Sequence, residues 1–154
     1  MRLAALLLVL ASNALPACSG GEGAPAEPSL RIRGQRVWLE IVRTRAEQSR
    51  GLGYRDSLAW DRGMLFPYDD RPDFHAFWMK GMRFDIDIVW IRDGRVIDIA
   101  HRVPHPAPDD PTGTGSTVRP RELSDRVLEV PAGYAGAHGW QVGDPVAFDL
   151  EAGG

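Results

Sequence analysis

From Arg36 to Thr44 the chain alternates. Val37, Leu39 and Ile41 fall on one side, and Trp38, Glu40 and Val42 on the other, which is the period of a strand. The pattern then changes at TRAEQSRGLGY. Thr44 is a helix-capping residue and Glu47 sits three positions on, the spacing of a capping box. A helix of two or three turns is expected there, stopped by Gly51 and Gly53. GMLFPY is a short apolar run that Pro67 confines to a sheet edge or a strand end. Phe74 to Lys80 and Ile86 to Arg92 are the most convincing strands. Asp93-Gly94, between VWIR and RVIDIA, is a hairpin turn, because glycine tolerates positive φ. Ile86 to Ala100 is therefore read as one antiparallel hairpin.

His101 to Pro120 holds five of the 12 prolines. A loop this long is a lid, a binding loop or a disordered segment. Val127 to Val130 resumes a strand. Pro131 suits the first turn of a second helix and Gly139 its stop, and VGDPVAFDL supplies a turn and a last strand. Short strands outnumber helices and no repeat is visible. The expected fold class is α+β, mostly β: a small antiparallel β-barrel-like domain with two short helices.

A chain of 154 residues fits one domain with a real core. A net charge of −3, with acidic and basic residues interleaved, gives no reason to expect nucleic acid as a partner. Five tryptophans read first as packing and second as a binding platform. Cys18 is the one cysteine, so the domain contains no disulfide framework, zinc knuckle or catalytic thiol.

The position of Cys18 is informative. Arg2 is a short positive region, Leu3 to Leu10 is an apolar core too short to span as an ordinary membrane helix, and LPAC follows. LPAC resembles a bacterial lipobox, with Leu15 three residues before the cysteine and Ala17 just before it. Residues 1–17 are expected to be a lipoprotein signal peptide. Lipid on Cys18 would anchor the chain to a membrane. Residues 18–29 are small and rich in glycine and proline and read as a flexible tether, leaving 30–152 as the domain. Ser19 in place of aspartate after Cys18 fits an outer-membrane destination, facing the periplasm in a Gram-negative cell.

RGLGYRDSL, GMLFPY, FWMKGMRFDIDIVWI, DGRVIDI and VLEVPAGYAGAHGWQVGDPV occur in that order. Together they resemble the bacterial and archaeal domain-of-unknown-function family 192, over Val37 to Phe148. The resemblance implies a compact mixed fold dominated by a β-barrel and brings no established reaction. Two positions depart from the family pattern. Gly81 stands where asparagine is common, and Asp85 stands where proline is common.

Candidate chemistry centres on the strand Ile86–Arg92 and the segment before it. Trp78, Lys80, Arg83 and Asp87 could form a polar pocket with a tryptophan floor. Such a pocket would hold an anionic or sugar-like ligand by charge-assisted hydrogen bonds and ring stacking. The same residues could instead be cross-strand pairs on a wet face. Asp85 shares a strand face with Asp87 and reads as such a pair. Arg50 and Arg55 flank the glycine-rich helix end, where they could neutralise an anion or pair with Asp56 or Asp61. His101 and His105 are four apart on a proline-broken loop, which guarantees no metal geometry, so no metal and no cofactor are expected. No nucleophile elbow occurs. A glycosidase pair of Asp87 with Glu40 or Glu129 is conceivable, but nothing in the sequence selects it.

The chain thus reads as a lipid-anchored cell-envelope domain that binds a small ligand or an envelope protein. The alternatives are an envelope hydrolase or transferase acting on polysaccharide through Asp87, and a structural or assembly lipoprotein.

Overall fold

The computed structural model describes residues 27–68 and 71–150. The segment read as signal peptide, with Cys18, lies outside them. Seven strands form one sheet: β1 (Ser29–Ile32), β2 (Gln35–Ile41), β3 (Arg62–Pro67), β5 (Ile86–Arg92), β6 (Arg95–Val103), β8 (Arg126–Pro131) and β9 (Val146–Asp149). Their order is β6-β5-β8-β3-β2-β1-β9. Only β2 and β3 run parallel. The outer strands approach one another: Val96 N–H donates to Asp144 O and Val146 N–H to Gly94 O. These bonds curl the sheet into a half-barrel, as the barrel-like expectation requires.

Local chemistry sets several ends. Thr44 accepts from Glu47 N–H while the Glu47 carboxylate accepts from Thr44 N–H, so the capping box forms at the start of α1 (Arg45–Arg50). The helix is shorter than two turns, because Gly51 at φ 50° ends it at once. Asp93 and Gly94 both take positive φ, 50° and 69°, as a type I′ hairpin needs. Pro67 closes β3, the central strand, and the next amide, Tyr68 N–H, donates to Asp125 O at 2.8 Å.

Two further expectations need correction. Phe74 to Lys80 is not a long strand. Only β4 (Phe77–Trp78) pairs, with β7 (Thr117–Val118), in a two-residue ribbon. The rest of the segment spends its backbone on separate neighbours: Asp73 bridges Ser124, His75 O receives the Trp90 indole N–H, and Met82 N–H closes a turn onto Met79 O. Pro131 ends β8 instead of opening a helix, and α2 (Tyr134–Ala137) begins after Gly133, at φ 84°. Ser29 to Ile32 forms a strand that its four residues did not advertise.

The sheet carries a core on each face. Leu30, Val37, Leu39, Leu65, Val89, Leu128, Val130 and Tyr134 pack on one. Val42, Met64, Phe66, Ile86, Ile88, Trp90 and Val127 pack on the other. We call these the α2 face and the α1 face. Neighbouring strand residues point oppositely, so each polar residue in a central strand is committed to one face by parity.

Candidate functional site

Two carboxylates interrupt the buried strands, and parity sends them apart. Asp87 lies between Ile86 and Ile88, so it faces the α2 side with Val89 and Ile91. It is fully buried. Its Oδ1 accepts from Arg102 N–H at 2.7 Å and from Gly133 N–H at 2.9 Å, and its Oδ2 from Ala135 N–H at 2.9 Å. Arg102 sits at φ 50° in a bulge where β6 runs out of step with β5. Asp87 thus ties that bulge to the start of α2. Its oxygens are engaged by backbone.

Glu129 faces the α1 side, in a register row with Met64 of β3 and Ile88 of β5. It is only 4% exposed, and its Oε2 has no hydrogen-bond partner among the described residues. Burial pushes its carboxyl up to about 8, and the Arg55 guanidinium only partly offsets this. Arg55 is itself clamped by Glu40, with two bonds of 2.7 Å. That pair holds Arg55 above its ordinary value.

Two cavities sharing Gln48, Phe77 and Trp78 form a cleft beside Glu129. One is a bowl of about 300 Å³ lined by Arg45, Gln48, Tyr68, Phe77 and Trp78. The other is a slot of about 20 Å³ lined by Arg50, Gly51, Phe66, Trp78, Lys80 and Glu129. The end of α1 supplies one wall and β4 the other. Phe77 packs edge-on against Phe66, 4.8 Å between centroids, which leaves Trp78 standing outward, 55% exposed. Tyr68 stacks on His75 at 3.7 Å, and burial with the nearby Glu129 charge pushes its phenol up to about 12. Gly51 keeps the slot open: a Cβ there would meet the Phe66 ring at 3.4 Å and Glu129 Oε2 at 3.8 Å.

The expected pocket of Trp78, Lys80, Arg83 and Asp87 is therefore assembled differently. Trp78, Lys80 and Arg50 meet at one cleft. Arg83 points away and pairs with exposed Asp56 at 2.6 Å. Asp87 is on the other face of the sheet. The carboxylate at the cleft floor is Glu129, and the signal for it was a lone charge inside the apolar run VLEV. None of the ion pairs among the described residues takes Arg45, Arg50 or Lys80.

The proline-rich segment is an ordered loop. Asp85 accepts from His105 N–H at 2.9 Å and pairs with its Nδ1 at 2.6 Å, and these bonds hold the Asp85 carboxyl below its usual range. Asp110 accepts from Thr112 and Gly115 N–H further along. His101 Nδ1 lies 3.8 Å from Asp87 Oδ2. Among the described residues no three His, Cys, Asp or Glu side chains group as a metal site. On the α2 face exposed Trp60 leans on Tyr134 at 5.0 Å, with His138 and Trp140 behind it.

The DUF192 family model, described as uncharacterised ACR, matches residues 29–148. Two crystal structures are similar. One is a protein of unknown function from Novosphingobium aromaticivorans DSM 12444, at 29% identity and TM-score 0.66, covering 87% of this chain and 93% of that one. The other, from Sinorhizobium meliloti 1021 and provisionally described as a transcription regulator, has 27% identity and TM-score 0.69, covering 83% and 98%. No curated protein matches the chain.

Proposed function

Since the chain belongs to the DUF192 family, its fold arrives without an assigned reaction, and we propose that it is a lipid-anchored envelope domain that holds a small ligand in the cleft over Glu129. One observation supports this above the others. A buried carboxyl with an unpartnered oxygen sits at the end of a cleft walled by Trp78, Arg50 and Lys80. Leaving such an oxygen unpaired costs about 1–3 kcal/mol, a cost that a ligand's hydrogen bond would remove. A group held so far from its ordinary value in a cleft marks functional sites more often than surfaces.

A binding role fits better than glycoside hydrolysis. That chemistry needs a second free carboxylate facing the first. Glu40 is clamped by Arg55, and Asp87 lies on the opposite face with its oxygens taken by backbone.

Trp78 is exposed and outside the core, so Trp78→Ala tests the cleft without testing the fold. Small molecules that raise the melting temperature of the full chain are expected to bind the variant about tenfold more weakly or worse, through lost stacking. If every ligand-induced shift survives in the variant, this cleft is not the site. Anchoring rests on the leader and Cys18. Cys18→Ser is expected to move the chain from the membrane fraction to the soluble one, and a variant that still sediments with membranes would remove the lipid from the proposal.

A further inference from the structure

We propose that the ligand is a small organic anion with a flat or ring-shaped body, and that its charged oxygen enters the slot to meet the unpartnered oxygen of Glu129. This rests on the binding reading above and goes further by giving the ligand its charge and shape.

Charge comes first. Arg45 lines the bowl, and Arg50 and Lys80 line the slot, all three without an ion-pair partner among the described residues. Arg55, the other cation near Glu129, is already neutralised by Glu40. An ammonium in the slot would meet Arg50 and Lys80 with no ionised carboxylate to offset them, whereas an anion would meet two unpaired cations. The negative end of α1 does not oppose this. The helix is six residues long, and two of its last four carbonyls are occupied, Glu47 O by Gly51 N–H and Arg50 O by Gly53 N–H.

Shape comes second. The slot, at about 20 Å³, has room for one water or one functional group. The bowl has the size of a small-molecule site and is bordered by the aromatic side chains Trp78, Phe77 and Tyr68. A ring in the bowl with one carboxylate arm in the slot satisfies both parts.

The proton comes third. At neutral pH the Glu129 carboxyl keeps its proton, since burial holds it near 8. A protonated carboxyl is a donor, and a carboxylate oxygen is its matching acceptor. The charged and titratable groups around it are Arg50 on α1, Arg55 just beyond it, Lys80 after β4, Tyr68 at the end of β3, and Glu40 on β2 through Arg55. Tyr68 stays neutral up to about 12, so Glu129 is the group that changes charge between neutral and mildly alkaline pH. Once it ionises, a bound anion faces a second negative charge in the slot.

Calorimetric titration of the full chain tests this with two matched sets of probes: benzoate, benzamide and benzylammonium, and glucuronate with glucose. At about pH 6.5 at least one anion is expected to bind about tenfold or more tightly than its neutral counterpart, with Trp78→Ala weakening it. Above pH 8 its affinity is expected to fall about tenfold per pH unit. Glu129→Gln, whose amide still donates, is expected to keep binding and lose that fall. Trp78-dependent binding of a neutral or cationic probe as tight as the anion's would overturn the charge assignment and leave the cleft reading standing. An alkaline fall that persists in Glu129→Gln would remove Glu129 from the slot chemistry. Binding of no probe at all counts against both proposals.

Discussion

Replacing Asp87 with alanine is expected to destabilise the domain by about 3–9 kcal/mol, a large part of the roughly 5–15 kcal/mol margin of a typical fold. Three backbone donors depend on this one carboxylate. Gly133 and Ala135 N–H would be left in a sealed interior, and Arg102 N–H beside it. Each buried donor without a partner costs about 1–3 kcal/mol. The loss should spread beyond one contact, because Asp87 fastens the bulge of β6 and the start of α2 together. Asp87→Asn should cost less, because its Oδ1 can still accept from Arg102 and Gly133 N–H while its N–H₂ faces Ala135 N–H, which also donates. Urea unfolding of both variants checks this. A loss below about 1 kcal/mol would mean the three amides have other partners. The same geometry explains why the most eye-catching acid of the sequence is not the one in the cleft.

Stability should also fall as pH rises from about 5 to 8, and Glu129→Gln should abolish most of that fall. The sign follows from the proton count. In the unfolded chain Glu129 titrates near its ordinary value of 4.5, and in the folded one near 8. Between these values the folded state holds a proton that the unfolded state has released, so raising the pH favours unfolding. The stabilisation is complete below about 4.5, declines across the window and levels off above 8. A separation of this size corresponds to something on the order of 5 kcal/mol. Asp85, Asp110 and Glu47 have carboxyls lowered by hydrogen bonds, and their effect lies on the acid side, where stability drops as they gain protons. The two windows do not overlap. Thermal unfolding at about pH 5 and pH 8 separates them. A wild-type curve as flat as that of Glu129→Gln would show that Glu129 is ionised throughout.

Local signals in the sequence translated well. Thr44 and Glu47 cap a helix, Asp93-Gly94 turns a hairpin, and Ile86 to Arg92 is a central strand. Each depends on residues close in the chain. The site was harder to read because it depends on which face a residue takes. Asp87 and Trp78 are nine positions apart, and an intervening turn at Met79–Met82, with Gly81 at φ 72°, breaks any count of alternation between them. Trp78 and Lys80 were expected on one long strand, but only two residues there pair. Glu129 is brought under Trp78 by the register of β8 against β3 and β5, which no short-range pattern encodes. Its one local mark was a charge where β8 is otherwise apolar. The stretch from His101 to Pro120 shows the same limit: its proline content left a lid, a binding loop or a disordered segment open, and Asp85 and Asp110 order its middle through contacts up to 20 positions away.

The central claim is that the α1 face, over Glu129, is where this domain binds. Mapping the backbone amide shifts of the isotope-labelled chain on addition of benzoate tests it most directly. The predicted result is a set of perturbations centred on Ser49 to Leu52 and Phe77 to Lys80, with the largest at Gly51 and Trp78. Perturbations gathered instead around Trp60, Tyr134 and His138, on the opposite face of the sheet, would contradict it.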